Sequence, residues 1–357
     1  MNNLKLKKVI TSKWILIPVI FIIVLAIYVN EKLAYKGKVQ YVTFHSDIEI
    51  EGILIYPSTP GPHPAIVLLQ GAGGAHQNYD KWYNRFHANV LLDKGFAVLA
   101  YTKRGSGNNN IDYTFFTYKD LVKDALSSVE FLRKQPDIDV NKIGLMGISE
   151  SGWFTPEIAA IDGNIKFIIN RVSSPFSVPK TVIHERRMDA LAEGFSEQEV
   201  EEEILPLTTR IWQFYIDVYN DPSMANGPER IAINKKMAEM QNHGRLKKWF
   251  TYDKLNAYEP RLYRAKGMNY SYDPLPYLKE IEVPMLYIMA GKDINMPTVS
   301  IVEFLYEFKK KENKNITVKV YPDAGHYLYR WESLPIEGLY EPGYLDLLSM
   351  WAAEQVD

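Results

Sequence analysis

The sequence predicts an α/β fold with a mostly parallel central sheet flanked by helices and a helical cap inserted before the last two strands. Three observations carry that expectation. Short, fully apolar runs bounded by Gly and Pro alternate with stretches of helical period, as buried parallel strands joined by crossover helices do. The rhythm stops near Pro175 and resumes at Pro284. Between those prolines lie about a hundred residues that are helical in period and rich in charge.

Each element follows from local pattern. Residues 39–55 alternate with period two and break at His45-Ser46-Asp47, which reads as a β-hairpin. A turn-rich break at 57–64 precedes a buried strand at 65–69. Next come a helix at 83–94 ended by Gly95, a strand at 96–101, a helix at 118–134 and a strand at 142–146. A helix at 150–161 and a strand at 167–169 complete the first half. Within the insertion, Ser196 and Glu199 form a capping box, Gly194 suits a helix C-cap and Pro228 a first helical position. Leu207, Ile211, Phe214, Tyr215 and Val218 recur at helical spacing. That stripe reads as packing, with an acyl-pocket lining as the sharper alternative. Strands at 285–290 and 317–321 flank a helix at 298–311, and residues 343–355 close the fold.

Charge and composition narrow the function. The formal net charge of −2 conceals an asymmetry: residues 1–38 hold seven lysines against Glu31, while the remaining 319 residues hold 34 basic and 42 acidic groups. An acidic domain repels a phosphate backbone, which argues against nucleic-acid binding. With no cysteine, disulfides, thiolate metal sites and a thiol nucleophile are excluded. No His/Asp/Glu cluster shows metal-ligand spacing, so neither a metal nor another cofactor is expected. Residues 14–29 form an uncharged apolar run of 16 residues behind four lysines. As a helix it reaches roughly 24 Å against a hydrocarbon core of about 30 Å, a gap that snorkelling of Lys13 and Lys32 would close. No small-x-small cleavage site follows Val29. The expectation is therefore a stub and transmembrane anchor over 1–35 that contacts the lipid bilayer through 14–29. A domain over 36–357, with its cap at about 176–278, follows, and the lysine balance tilts that domain to the extracytoplasmic side.

The chemistry concentrates in Gly147-Ile148-Ser149-Glu150-Ser151-Gly152-Trp153. A strand runs into a tight turn and out into a helix with serine at the apex, which holds the hydroxyl clear of the backbone. A neutral serine needs a base oriented by a third group. Of seven histidines, only His326 follows a strand late in the chain. Asp293 follows the strand before it, and Asp323 is the rival acid. The order serine, aspartate, histidine makes Ser149 the candidate nucleophile, Asp293 the acid and His326 the base. Acyl transfer also needs donors for the oxyanion. The backbone N–H of Glu150 and that of Ala72, with Gly73 as alternative, are the candidates, since Gly71-Ala72-Gly73-Gly74 follows the 65–69 strand.

These segments, with Arg104-Gly105-Ser106-Gly107, the stretch from Asp124-Ala125-Leu126 within the 118–134 helix, and Asp323-Ala324-Gly325-His326, resemble α/β-hydrolases. The branch is the one holding dienelactone-hydrolase-like, prolyl-oligopeptidase-like and acyl-CoA thioester-hydrolase-like proteins, and the likeness covers about residues 39–357. It departs from the pattern at Ser151, where glycine is usual, at Gln70, where relatives often have His-Gly, and at Thr102, where they often have Asp. Gln70, Arg104 and Trp153 are candidate pocket residues, Arg104 having a buried ion pair with Glu150 or Asp124 as its alternative role. The resemblance implies hydrolysis of a small-molecule acyl ester through an acyl-enzyme. A thioesterase or a small-peptide hydrolase with the same triad is the alternative. A catalytically inactive, membrane-anchored binding protein is the non-enzyme alternative.

Overall fold

A computed structural model of the chain describes residues 16–28, 34–73, 78–79, 81–107, 112, 114–242, 255, 257–329 and 340–357. Eight strands form one sheet: β1 (Lys38–His45), β2 (Glu49–Tyr56), β3 (His63–Leu69), β4 (Ala97–Tyr101), β5 (Ile138–Ile148), β6 (Ile168–Arg171), β7 (Met285–Ala290) and β8 (Ile316–Tyr321). Their order is β1-β2-β4-β3-β5-β6-β7-β8. β2 runs antiparallel to β1 and β4, and every other pair is parallel. The predicted α/β architecture is the observed one.

The apolar strands follow from burial on both faces. Val67, Leu69 and Leu145 point into one core layer, whereas their neighbours Ile66, Leu68 and Met146 point into the other. Each such side chain contributes roughly 1.5–3 kcal/mol by leaving water, so polar alternation is absent where helices cover both sides. Helix α1 spans 16–28. Helices α2 (Trp82–Leu92) and, at the far end of the chain, Tyr344–Glu354 cover one face. The other face is covered by α3 (Tyr118–Arg133), α4 (Thr155–Asp162), and two later helices, Leu275–Glu280 and Thr298–Lys311. Thr117 and Asp120 close a reciprocal capping box that starts α3.

Between β6 and β7 the chain builds the predicted helical cap from α5 (Val178–Ala192), α6 (Glu197–Glu199), α7 (Leu205–Asn220), α8 (Pro228–Asn242) and α9 (Pro260–Tyr270). The Ser196–Glu199 capping box forms, but a π-helical turn at Val200–Ile204 interrupts the helix it starts. Leu207, Ile211, Phe214 and Val218 pack into the cap's own core. None of them lines the cavity beside Ser149, so the stripe is packing. Leu275–Glu280 is α10, Thr298–Lys311 is α11 and Tyr344–Glu354 is α12.

The expected membrane anchor is corrected. Among the described residues no helix is long and apolar enough to cross a membrane. The bilayer contact and the extracytoplasmic placement inferred from the apolar run therefore lose their support.

Candidate active site

Parallel strands deliver their carboxyl ends to one edge of the sheet, where ligands of such sheets bind. That edge collects Gly71 after β3, Lys103 and Arg104 after β4, Ser149 after β5, Arg171 at the end of β6, Asp293 after β7 and His326 after β8. Ser149 sits at φ +54°, in the left-handed region that costs a residue with a Cβ about 1 kcal/mol or more. A 3-10 turn, Ser149–Trp153, separates it from α4, which starts later than the sequence suggested. The turn is over-determined. A Cβ on Gly147 would come within 2.8 Å of Gly152 Cα, so only glycine lets strand and turn approach this closely. Ser173 Oγ donates to the Ser149 carbonyl at 2.7 Å. The buried Ser151 hydroxyl accepts from Ile148 N at 2.6 Å and donates to the Leu69 carbonyl at 2.9 Å. Serine in place of the usual glycine thus ties the elbow to the end of β3.

The structure brings the three predicted side chains together. His326 Nε2 lies 3.0 Å from Ser149 Oγ, and its Nδ1 lies 2.8 Å from Asp293 Oδ2. The Asp293 carboxylate is fully buried, and the backbone N–H groups of Asn295 and Met296 donate to its Oδ1 at 2.9 and 3.2 Å. An ionised carboxylate at Nδ1 fixes the tautomer that leaves Nε2 to accept the serine proton. Asp323 is elsewhere: it pairs with Lys292 at 2.8 Å in solvent, and that ammonium lowers its carboxyl's pKa. From the cap, α5 brings His184 to the backbone of Asp293 and Glu185 within electrostatic reach of His326. Burial lowers the His184 imidazole and raises the Glu185 carboxyl.

The loop after β3 lies against the serine, since a Cβ on Gly71 would be 3.1 Å from the Ile148 carbonyl and 3.5 Å from Ser149 Cβ. Gly71 and Ala72 line the cavity over Ser149, whereas Gly73 does not. Lys103, buried and not singled out from the sequence, joins the two sides. Its ammonium donates to the Gly71 carbonyl at 3.1 Å and pairs with the Glu150 carboxylate. Because a trans peptide is planar, fixing the Gly71 carbonyl also fixes the opposed N–H of Ala72. Lys103 thereby ties together the chain on both sides of Ser149.

The cavity has a volume of about 500 Å3. Besides the residues already named it is lined by Lys81, Tyr83, Arg171, Asn295, Tyr327 and Tyr329, none of which sequence reasoning identified. Gln70 stands behind this wall, its Oε1 accepting from the Tyr83 hydroxyl at 2.8 Å. Arg104 does not line the cavity. Its guanidinium binds Asp124 at 2.5 and 2.7 Å and Asp47 at 2.5 Å. Trp153 is buried against Tyr118, with ring centroids 5.7 Å apart, and is not on the cavity wall either. A second cavity of about 460 Å3, among α3, α9 and α10, contains none of the three central side chains. Among the described residues no group of three or more His, Asp or Glu side chains is arranged to hold a metal ion.

A parallel sheet carrying a strained serine after β5, an aspartate after β7 and a histidine after β8, with a cap between β6 and β7, defines an α/β-hydrolase. The comparisons place it more narrowly. The chain belongs to the X-Pro dipeptidyl-peptidase (S15) family, whose sequence model matches residues 48–315. Esterase EstD of Thermotoga maritima is 24% identical over 311 residues, covering 84% of this chain and 64% of its own length. Mouse acyl-coenzyme A thioesterase 1 is 26% identical over 167 residues, 42% of this chain and 35% of that protein. The chain thus spans less than two-thirds of either relative. An esterase structure from Pyrococcus furiosus superposes with a TM-score of 0.50 at 17% identity, covering 83% of this chain and 85% of that one, a likeness of fold.

Proposed function

We propose that the protein is a serine hydrolase that cleaves carboxylic esters through an acyl-enzyme. Ser149 Oγ attacks the carbonyl carbon while His326 Nε2 takes its proton, and Asp293 stabilises the resulting imidazolium. The backbone N–H groups of Glu150 and Ala72 receive the oxyanion, held in place by Lys103. The tetrahedral intermediate collapses, and His326 returns the proton to the departing alcohol. Water then repeats the sequence, with His326 as base, and releases the acid and the free serine. The observation that carries this reading is the unbroken hydrogen-bond chain from Ser149 through His326 to the buried Asp293.

The cavity wall favours esters over dipeptidyl substrates within the family. A dipeptidyl peptidase must neutralise a substrate ammonium close to the scissile bond. The described lining instead offers two cations, Lys81 and Arg171, and no carboxylate. Thioesters are the second reading, favoured by the thioesterase relative and open to the same triad.

The test compares 4-nitrophenyl butanoate, butanoyl-CoA and Gly-Pro-4-nitroanilide on the full chain and on Ser149→Ala. The expected result is highest kcat/KM for the ester, reduced about 10⁴-fold or more by the substitution. Turnover that survives in Ser149→Ala, or faster cleavage of the dipeptidyl anilide, would overturn this assignment.

A further inference from the structure

Arg171 is a buried cation on the wall of the active-site cavity, with no counter-ion among the described residues. Only 5% of the residue is exposed, and no carboxylate among the described residues lies within ion-pair distance of it. Its Nη2 donates to the Tyr327 carbonyl, its guanidinium lies 5.8 Å from the centroid of the Tyr344 ring, and its Nε has no acceptor among the described residues. Around it stand Tyr83, Tyr329, Tyr340 and Tyr344. Burial raises the pKa of all four phenols, so they stay neutral and supply no anion. A desolvated charge with only neutral partners is costly, and such arrangements persist where a ligand completes them.

The backbone points the same way. Arg171 pairs in register with Ile148, the residue before the nucleophile. The residues that follow the two, Ser149 and Val172, both have positive φ, +54° and +44°. For a β-branched valine that is a strained conformation, of the kind that concentrates at functional sites. It fixes the end of β6 beside the end of β5 and holds the guanidinium against the same space as the serine.

Resting on the ester-hydrolase reading above, we propose that Arg171 binds a free carboxylate carried by the substrate, so that the cavity selects esters bearing a negative charge. The planar guanidinium suits a carboxylate's two oxygens. Lys81, on the same cavity wall, adds a second positive charge. The carboxylate belongs either to the acyl chain, as in half-esters of short dicarboxylic acids, or to the alcohol.

The turnover test uses full-length protein and two matched pairs. One is 4-nitrophenyl hemiglutarate against 4-nitrophenyl pentanoate. The other is the butanoyl ester of 3-hydroxybenzoate against phenyl butanoate. Wild type should favour the charged member of one pair by about tenfold or more in kcat/KM, which also identifies the side that carries the charge. Arg171→Gln should bring that ratio to about one, with the loss concentrated on the charged ester, and Arg171→Lys should leave an intermediate ratio. The binding test uses Ser149→Ala, which retains Arg171: calorimetry should show monomethyl glutarate binding about tenfold tighter than methyl pentanoate if the charge is on the acyl side. Brisk turnover of neutral esters with no preference in either pair overturns the role of Arg171 and leaves the hydrolase assignment intact. Equal loss on charged and neutral esters in Arg171→Gln also overturns it, by making the residue structural. Charge-selective binding without ester turnover supports the role of Arg171 and sinks the ester assignment instead.

Discussion

Arg104 and Arg171 are equally buried, each 5% exposed, and both stand at the carboxyl edge of the same sheet. Their surroundings differ completely. Arg104 lies between Asp124, which it grips with two nitrogens, and Asp47. Its charge is matched by the loop between β1 and β2 and by α3. Arg171 faces a carbonyl, four neutral phenols and a cavity. A buried cation with its carboxylates in place is part of the scaffold. One with none among the described residues, on the wall of a cavity beside the strained Ser149, fits a site completed by a ligand from outside.

Substitution should separate the two residues most sharply in stability. Arg104→Met leaves the buried Asp124 carboxylate without its partner and should cost about 3–5 kcal/mol in urea unfolding. A loss under about 1 kcal/mol would mean that the aspartates already sit comfortably alone. Lys103 is the third buried cation of this edge, and its partners belong to the nucleophile's own turn and the facing loop. Lys103→Met should lower kcat about 10²-fold with little change in KM, because the backbone donors it fixes matter most in the transition state. An equal change confined to KM would remove it from that role. Arg171→Met, by contrast, strands no acid among the described residues, and its unfolding free energy should stay within about 1 kcal/mol of wild type. A loss as large as that of Arg104→Met would erase the distinction between the two arginines.

The smallest effect concerns pH. The hydrogen bond from Arg104 lowers the Asp47 carboxyl from 3.8 to about 2. A depressed carboxyl contributes stability that is complete above the unfolded value near 4 and is lost as pH falls through about 2. Because the Asp47 side chain is 44% exposed, solvent screening keeps that contribution under about 1 kcal/mol. The gap in urea midpoint between wild type and Asp47→Asn should therefore narrow between pH 5 and pH 2. A gap that widens on acidification would contradict the pairing.

What could be seen in the sequence was what is encoded locally. Fully apolar strands, the Gly147–Gly152 turn and the order of Ser149, Asp293 and His326 are each visible within a few residues, and the fold class followed from them. The pairing of charges was not local. Arg104 finds Asp47 57 residues away and Lys103 finds Glu150 47 residues away, so pattern alone could not assign Glu150 to Lys103 rather than to Arg104. Arg171 closes a short apolar strand and carries no motif, and only the sheet register sets it beside Ile148. Trp153 follows the nucleophile closely enough to suggest the pocket, yet the turn swings it into the core against Tyr118. The amino-terminal run was read as a membrane anchor from hydropathy alone, and among the described residues no helix is long and apolar enough to cross a membrane.

The most direct measurement is intact-mass and peptide analysis of the full chain after reaction with a fluorophosphonate. A single adduct on Ser149, strongly slowed in His326→Ala, is the result that three converging side chains require. No adduct, or one that forms on another residue or at an undiminished rate without His326, would contradict the activation of Ser149 on which the mechanism depends.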